Sequence, residues 1–243
     1  MNIALVLSGG TGTRLGAGIP KQYIRVGGRP VIAYCLEGLL ACGSIHAVQI
    51  VADEQWREMI GECIAAAGAP EKLRGFSAPG ENRQLSVLNG LVDIRGYAAD
   101  EDYVFIHDAA RPVLSGCQIM ECLEAAAGHD GVVPVLPMKD TVYASADMHK
   151  ISSLLDRGSI FAGQAPEVFQ IGKYYKAVKS LLPERIWRIN GSAEPAVLAG
   201  LDVIMIPGDE TNFKITTRED LERFCRMIRD RDEKTVKRAV SQK

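Results

Sequence analysis

With 243 residues, 47% of them hydrophobic, the chain is long enough to bury the core of one large α/β domain or two small ones. A net charge of −2 offers no general basic field for nucleic acid or an anionic membrane, and no apolar run reaches the ~20 residues that a bilayer span needs. The six cysteines, Cys35, Cys42, Cys63, Cys117, Cys122 and Cys225, include no C-x-x-C pair. They are expected as buried thiols in a reducing cytosol, which argues against a disulfide framework or a zinc site. An apolar strand begins almost at the N-terminus and leaves no room for a signal peptide, so a cytoplasmic protein is expected.

Residues 3–7 form that strand, and Ser8-Gly9-Gly10-Thr11-Gly12-Thr13-Arg14 follows it directly. Glycines let a backbone turn tightly and come close to a ligand, and successive exposed N–H groups in such a loop form a concavity suited to phosphate oxygens. Arg14, a flat fork of donors, and Lys21, a compact point charge in Pro20-Lys21-Gln22, add two cations beside it. The string is neither a Gly-x-x-x-x-Gly-Lys-Ser/Thr P-loop nor a dinucleotide Gly-x-Gly-x-x-Gly. Glycine-rich turns also serve close packing; the two cations are what turn the reading toward a nucleoside triphosphate.

Beyond the loop, apolar strands alternate with amphipathic helices. Residues 45–52 read as a strand. Residues 54–67 read as a helix, with Trp56, Met59, Ile60, Cys63 and Ile64 on one stripe. The all-apolar run 103–106 has the pattern of a strand covered on both faces. Ser115 with Gln118 resembles a capping box opening a helix to about residue 127. Strands are expected at 132–136 and 203–206, and Thr217 is expected to cap a last helix carrying Leu221, Phe224, Cys225 and Ile228. The alternation predicts a mostly parallel sheet with helices on both faces, its ligands outside the carboxyl ends of the strands.

Residues 141–157 break that rhythm. Strands at 142–144 and 150–154 around Ser145-Ala146-Asp147-Met148 predict a projecting β-hairpin, which is marginal in water unless it packs on something; a partner subunit is the natural candidate. Residues 1–230 are expected to form one domain carrying this arm, and residues 231–243 a charged tail that frays or is disordered.

Three further stretches carry chemistry. In Ile106-His107-Asp108-Ala109-Ala110-Arg111-Pro112, Asp108 stands just past a buried strand, as a Mg²⁺ ligand facing a triphosphate loop or as a partner that pins the turn through Arg111. His107, without a second histidine or cysteine nearby, reads as structural. In Gly80-Glu81-Asn82-Arg83-Gln84-Leu85-Ser86, a glycine turn becomes a helix whose polar start either reads the edge of a base or is merely exposed. Lys214 in Asn212-Phe213-Lys214-Ile215-Thr216 meets a phosphate or is a solvated surface lysine.

Taken together with Lys139-Asp140-Thr141, these strings resemble the 2-C-methyl-D-erythritol 4-phosphate cytidylyltransferases, and nearly as much the sister ribitol 5-phosphate cytidylyltransferases. The match runs in order from residue 3 to about residue 228. The resemblance implies a Rossmann-like nucleotidyltransferase of the isoprenoid pathway that transfers CMP from CTP to a polyol phosphate and releases pyrophosphate. It implies that Ser8, Gly9, Gly10, Thr11 and Gly12 wrap the CTP phosphates and touch the base, and that Gly80, Glu81 and Ser86 recognise cytosine. Arg14, Lys21 and Lys214 would act on the phosphates, and Asp108 would hold Mg²⁺. It implies a homodimer in which Thr141 and Arg157 of the exchanged arm bind the acceptor in the neighbouring site. Gly191 stands where that pattern has Asp, and Gln164-Ala165-Pro166-Glu167 replaces Gln-Thr-Pro-Gln; a weakly catalytic CTP-binding homologue is the alternative these departures raise.

Overall fold

Side chains alternate across strand β1 (Asn2–Leu7), and both faces of it are fully buried: Ala4 and Val6 on one side, Ile3 and Leu5 on the other. A strand with two dry faces must be covered by helices above and below, and the chain supplies them. The computed structural model describes residues 1–10 and 18–241, with side chains to Glu233. After β1 come β2 (Arg25–Val26) and β3 (Arg29–Pro30), which pair with each other, then α1 (Val31–Ala41), β4 (Ala47–Val51), α2 (Glu54–Ala66) and β5 (Leu73–Ser77). The middle of the chain is α3 (Arg83–Ile94), β6 (Tyr103–Asp108), α4 (Gly116–Ala125) and β7 (Gly131–Pro137). Then follow β8 (Val142–Ala144), β9 (Ser153–Leu155), β10 (Phe161–Gly163), β11 (Glu167–Gln170), α5 (Ile171–Lys179), α6 (Ala193–Leu198), β12 (Val203–Pro207) and α7 (Arg218–Ser241).

Among the described residues the main sheet has eight strands, in the order β10-β7-β11-β6-β1-β4-β5, with β12 on the outer side of β7. β1 is parallel to β4 and β6, β4 to β5, and β12 to β7. The antiparallel members, β10 and β11, are short strands that the sequence reading leaves unassigned. α1, α2 and α4 cover the face of Ala4, Val6 and Phe105; α3 and α5 cover that of Ile3, Leu5 and Ile106. Phe224 and Ile228 of α7 pack on Val26, Val31 and Tyr34. The chain leaves β1 toward β4 on one side and β6 on the other, so the crevice of this open sheet lies at the carboxyl ends of β1 and β6.

Several expectations are refined. Ser115 caps α4 by accepting from Gln118 N at 3.1 Å, but the reciprocal half of the box is missing because Gln118 Oε1 instead accepts from Asn212 Nδ2. The box at α7 is complete: Thr217 Oγ1 accepts from Asp220 N, and Asp220 Oδ2 accepts from the Thr216 and Thr217 N–H groups. α7 continues as helix to Ser241, through most of the segment expected to fray. β8 and β9 form the expected hairpin outside the main sheet. Its second strand starts at Ser153 because Asp147 Oδ1 accepts from His149 N and Lys150 N and holds those residues in the turn. The cysteines are all free, but Cys117 is exposed on α4 and only Cys35 and Cys122 are fully buried.

α3 packs on β1 at Gly90, where a Cβ would collide with the Leu5 isobutyl group. Helix propensity alone would make Gly90→Ala stabilising by about 1 kcal/mol, whereas overpacking a fully buried contact costs about 1–3 kcal/mol. Overpacking is expected to win, and urea denaturation should find Gly90→Ala less stable than wild type; a more stable variant would mean that β1 and α3 are not locked at this point.

Candidate active site

A cavity of about 440 Å³ opens at the carboxyl ends of β1 and β6. Leu7, Gly9 and Gly10 form one wall, with Lys21 and Gln22 beside them. Gly9 is pressed on Pro79, whose Cβ would lie 2.7 Å from a Cβ at this position; at Gly10 a Cβ would meet nothing within 4 Å. Gln22 Nε2 donates to the carbonyls of Ser8 (2.7 Å) and Gly10 (2.8 Å), and Tyr23 Oη donates to Ser8 O at 2.9 Å. Ser8 Oγ turns back to Tyr23 Oη at 2.8 Å, so the Ser8 side chain braces the loop from behind and is not among the groups lining the cavity. Tyr23 is itself stacked on Trp56, ring centroids 4.2 Å apart. Thr11, Gly12 and Arg14 lie outside the described residues.

The opposite wall is Gly80, Glu81, Asn82, Arg83 and Ser86. Asn82 caps α3 by accepting from Leu85 N at 2.7 Å. Ser86 Oγ accepts from Gly80 N at 2.9 Å and donates to Asn82 O at 3.0 Å. That uses its proton and one lone pair and leaves one acceptor position for a ligand. Gly80 admits no side chain, since a Cβ would sit 2.7 Å from Ser86 N.

Asp108 ends β6 on the cavity floor with three cations around it. Lys214 Nζ is 2.9 Å from Oδ2, Arg83 Nη2 3.2 Å from Oδ1, and Arg111 Nε 3.8 Å from Oδ2. Burial alone would push this carboxyl up; Arg83 and Lys214 outweigh it and hold the group well below the usual carboxylate range. The two sequence readings of Asp108 are compatible: it faces the cavity, and it holds the turn, where Arg111 N also donates to Asp108 O at 2.9 Å. Lys214 is no free surface lysine. Asn212, fully buried and bonded to Gln118 and to Ala165 O, anchors its segment, and Ile215 N donates to Ala110 O.

Arg83, absent from the expected site residues, links α3 to the floor and onward to Ser192 Oγ at 2.5 Å and Glu167 Oε2 at 3.7 Å. Gln22 and Tyr23 were missed as well; the signal available for them was their place directly after Lys21. Thr141 and Arg157 are exposed and lie away from the cavity of their own chain, Arg157 Nη1 donating to Lys139 O at 2.6 Å. At Gly191 a Cβ would meet nothing within 4 Å. Glu194, one turn on, is engaged locally, its Oε2 accepting from Asn190 N at 2.9 Å.

The resemblance implies Mg²⁺, for which the crevice offers few donors. No group of three or more His, Cys, Asp or Glu side chains is placed to hold a metal among the described residues. The hard carboxylate oxygens of Asp108 do face the space where a triphosphate would lie, and Mg²⁺ is commonly held by one or two carboxylates with substrate phosphates. The donor set fits.

His107 is fully buried, with Nε2 at 2.9 Å from Arg111 O, an acceptor, so the proton sits on Nε2. Burial pushes its pKa down to about 4. The unfolded chain therefore takes up a proton near pH 6.5 that the folded chain refuses until about pH 4, and stability falls with pH across that window, by roughly 3 kcal/mol from this group alone. Urea denaturation from pH 7 to 4.5 should give a shallower pH slope for His107→Gln than for wild type; equal slopes would exclude a buried neutral imidazole.

The family model described as IspD, 2-C-methyl-D-erythritol 4-phosphate cytidylyltransferase, matches residues 2–229. The chain is 35% identical over 223 residues to the 2-C-methyl-D-erythritol 4-phosphate cytidylyltransferase of Rubrobacter xylanophilus, covering 90% of this chain and 91% of that one. It is 34% identical to the bifunctional enzyme IspD/IspF of Maricaulis maris, where it spans 56% of the longer protein. In fold it is similar to the 4-diphosphocytidyl-2C-methyl-D-erythritol synthase of Anaerococcus prevotii, with a TM-score of 0.79 at 22% identity, over 94% of this chain and 96% of that one. A glycine loop, a capped helix start and a cation-ringed aspartate around one crevice accompany that match along nearly the whole length, and the chain belongs to the 2-C-methyl-D-erythritol 4-phosphate cytidylyltransferase family.

Proposed function

We propose that this protein transfers CMP from CTP to 2-C-methyl-D-erythritol 4-phosphate, releasing pyrophosphate. The observation that carries the reading is the convergence of Gly9, Gly10, Lys21, Lys214 and Asp108 on one cavity whose far wall is the Gly80–Ser86 turn. The acceptor phosphate monoester is largely dianionic at neutral pH and needs no general base. Its oxygen attacks the α-phosphorus of CTP, the bond to the β-phosphate oxygen breaks, and pyrophosphate leaves with that electron pair. The protein then has to align the two phosphates and neutralise charge. In this reading Arg14, Lys21 and Lys214 stabilise the phosphates. Ser8, Gly9, Gly10, Thr11 and Gly12 hold the triphosphate, Ser8 through its backbone. Gly80, Glu81 and Ser86 take the base, the spare acceptor position of Ser86 suiting the cytosine amino group. Asp108 would hold Mg²⁺, which when bound supplies positive charge to the phosphates. A pyrophosphate-release assay with CTP and a panel of polyol phosphates tests the assignment.

We read residues 1–230 as one catalytic unit and residues 141–157 as an arm that completes a homodimer, Thr141 and Arg157 reaching the partner's acceptor site. Tyr143, Met148, Ile151 and Leu154 leave large apolar surfaces exposed on that arm, and the two-stranded ribbon has no core of its own. No helix among the described residues is long and apolar enough to cross a membrane; with six free cysteines, a reducing cytoplasm is the compartment we assign.

Lys21→Ala should lower kcat by ~10² or more with CTP affinity changed only a few-fold, because a preorganised cation acts on charge that develops in the transition state. Steady-state kinetics within a few-fold of wild type would remove Lys21 from the chemistry, and calorimetry finding UTP or ATP bound as tightly as CTP would remove the cytidylyl assignment. For the arm, light scattering should give a dimer for the wild type and a monomer for the Ile151→Asp, Leu154→Asp double variant, with turnover lost alongside; a fully active monomer would refute the shared site.

A further inference from the structure

Beside the cavity floor lies a second carboxylate that the reaction as written leaves unused. Glu167 opens β11, and its pairing opposite Ile106 puts it on the same face of the sheet as Asp108, one diagonal step away. It is buried, and burial together with the charge of nearby Asp108 pushes its carboxyl up, while three donors face it and oppose that. Its Oε1 accepts from Ala193 N at 3.2 Å, the Ser192 side chain bonds to it, and Arg83 Nη2 lies 3.7 Å from Oε2. Arg83 is thereby shared, its guanidinium lying 3.2 Å from Asp108 Oδ1 while Nη1 donates to Ser192 Oγ. Those three partners are what favour its charged form against burial. Asp108 meanwhile faces three cations, Arg83, Arg111 and Lys214, a setting that suits phosphate but opposes a further positive ion.

We propose that Glu167 is a positioning residue: by sharing Arg83 it draws that cation's charge away from Asp108, so that Asp108 keeps enough negative potential to take Mg²⁺ together with the triphosphate. The inference rests on the reading of Asp108 as the metal-bearing carboxylate. A glutamine at 167 would preserve shape and the bond from Ala193 N while removing the charge.

The experiment is calorimetric titration of CTP into the full-length protein, without acceptor, in the presence and absence of Mg²⁺. The wild type should bind CTP more tightly with Mg²⁺. In Glu167→Gln that gain should shrink about tenfold, while metal-free CTP binding stays equal or tightens, because the cavity has become more positive. Glu167→Asp, which keeps the charge at shorter reach, should be intermediate. A purely structural glutamate would weaken both arms alike, and that result overturns the proposal. Asp108→Asn separates the two readings. If it abolishes the Mg²⁺ gain while Glu167→Gln keeps it, Glu167 has no such role and Asp108 stands. If Asp108→Asn retains the gain, the metal assignment falls and this inference with it. Should Glu167→Gln fail to fold, a Glu167→Asp protein indistinguishable from wild type in both titrations also overturns the proposal.

Discussion

One buried carboxylate organises the crevice. Asp108 sits at the end of a strand with no exposed face, and a lone anion there would be costly to bury. It is tolerable because Arg83 from the start of α3, Arg111 from the following turn and Lys214 from the segment before α7 all reach it. Those residues are far apart in sequence, and their convergence draws the capped helix, the turn and the last helix around the mouth of β1. Removing the carboxylate would leave a cluster of like charges with no common centre, so geometry and electrostatics of the site rest on the same group.

The glycine loop is held by a different device. At Gly9 and Gly10 the missing side chain lets the backbone approach a phosphate, but the conformational freedom of glycine carries an entropic cost on ordering. Gln22 and Tyr23 offset that cost by fixing the carbonyls of Ser8 and Gly10, and Trp56 fixes Tyr23 in turn. The Lys21 side chain thus comes from a short segment whose neighbours are already committed to the loop. In the proposed reaction this would place Lys21 and the Ser8–Gly10 backbone together, which suits in-line phosphoryl chemistry because it depends on alignment more than on proton transfer.

The alternation of apolar runs and amphipathic stripes was legible because a sheet covered on both faces leaves a local imprint in each strand: the runs at 103–106 and 132–136 lie inside β6 and β7. The position of Gly9, Gly10 and Asp108 at the mouth of the crevice was legible because each directly follows or ends an apolar strand. β10 and β11 were not, since three- and four-residue strands carry too little pattern and their antiparallel pairing is set by partners distant in sequence. Arg83 was visible in its motif, but only the closure of α3 against β6 gives it a role at the floor. Glu167 looked like a departure from a familiar string, and its significance lies in a diagonal relation across two strands that no local window contains.

The distribution of charge links these pieces. The whole chain is slightly acidic, at −2, yet Lys21, Arg83 and Lys214 line a cavity to which Glu81 and Asp108 contribute the carboxylates. A positive lining inside a slightly negative molecule draws polyanions to one place and leaves the rest of the surface indifferent to them. It also sets a limit. Each added cation helps hold a triphosphate but raises the cost of bringing in a metal ion, so a crevice of this kind needs anions placed where they temper particular cations without occupying the phosphate positions. Asp108 does this from the floor. Glu167 lies on the neighbouring strand, bonded to donors on the start of α6, where it faces Arg83. The open space at Gly191 and the local engagement of Glu194 mean that this balance is not restored from the 189–194 turn. The negative charge near the cavity floor comes instead from β6 and β11, two strands of the rigid sheet, which fixes its position more firmly than a loop carboxylate would.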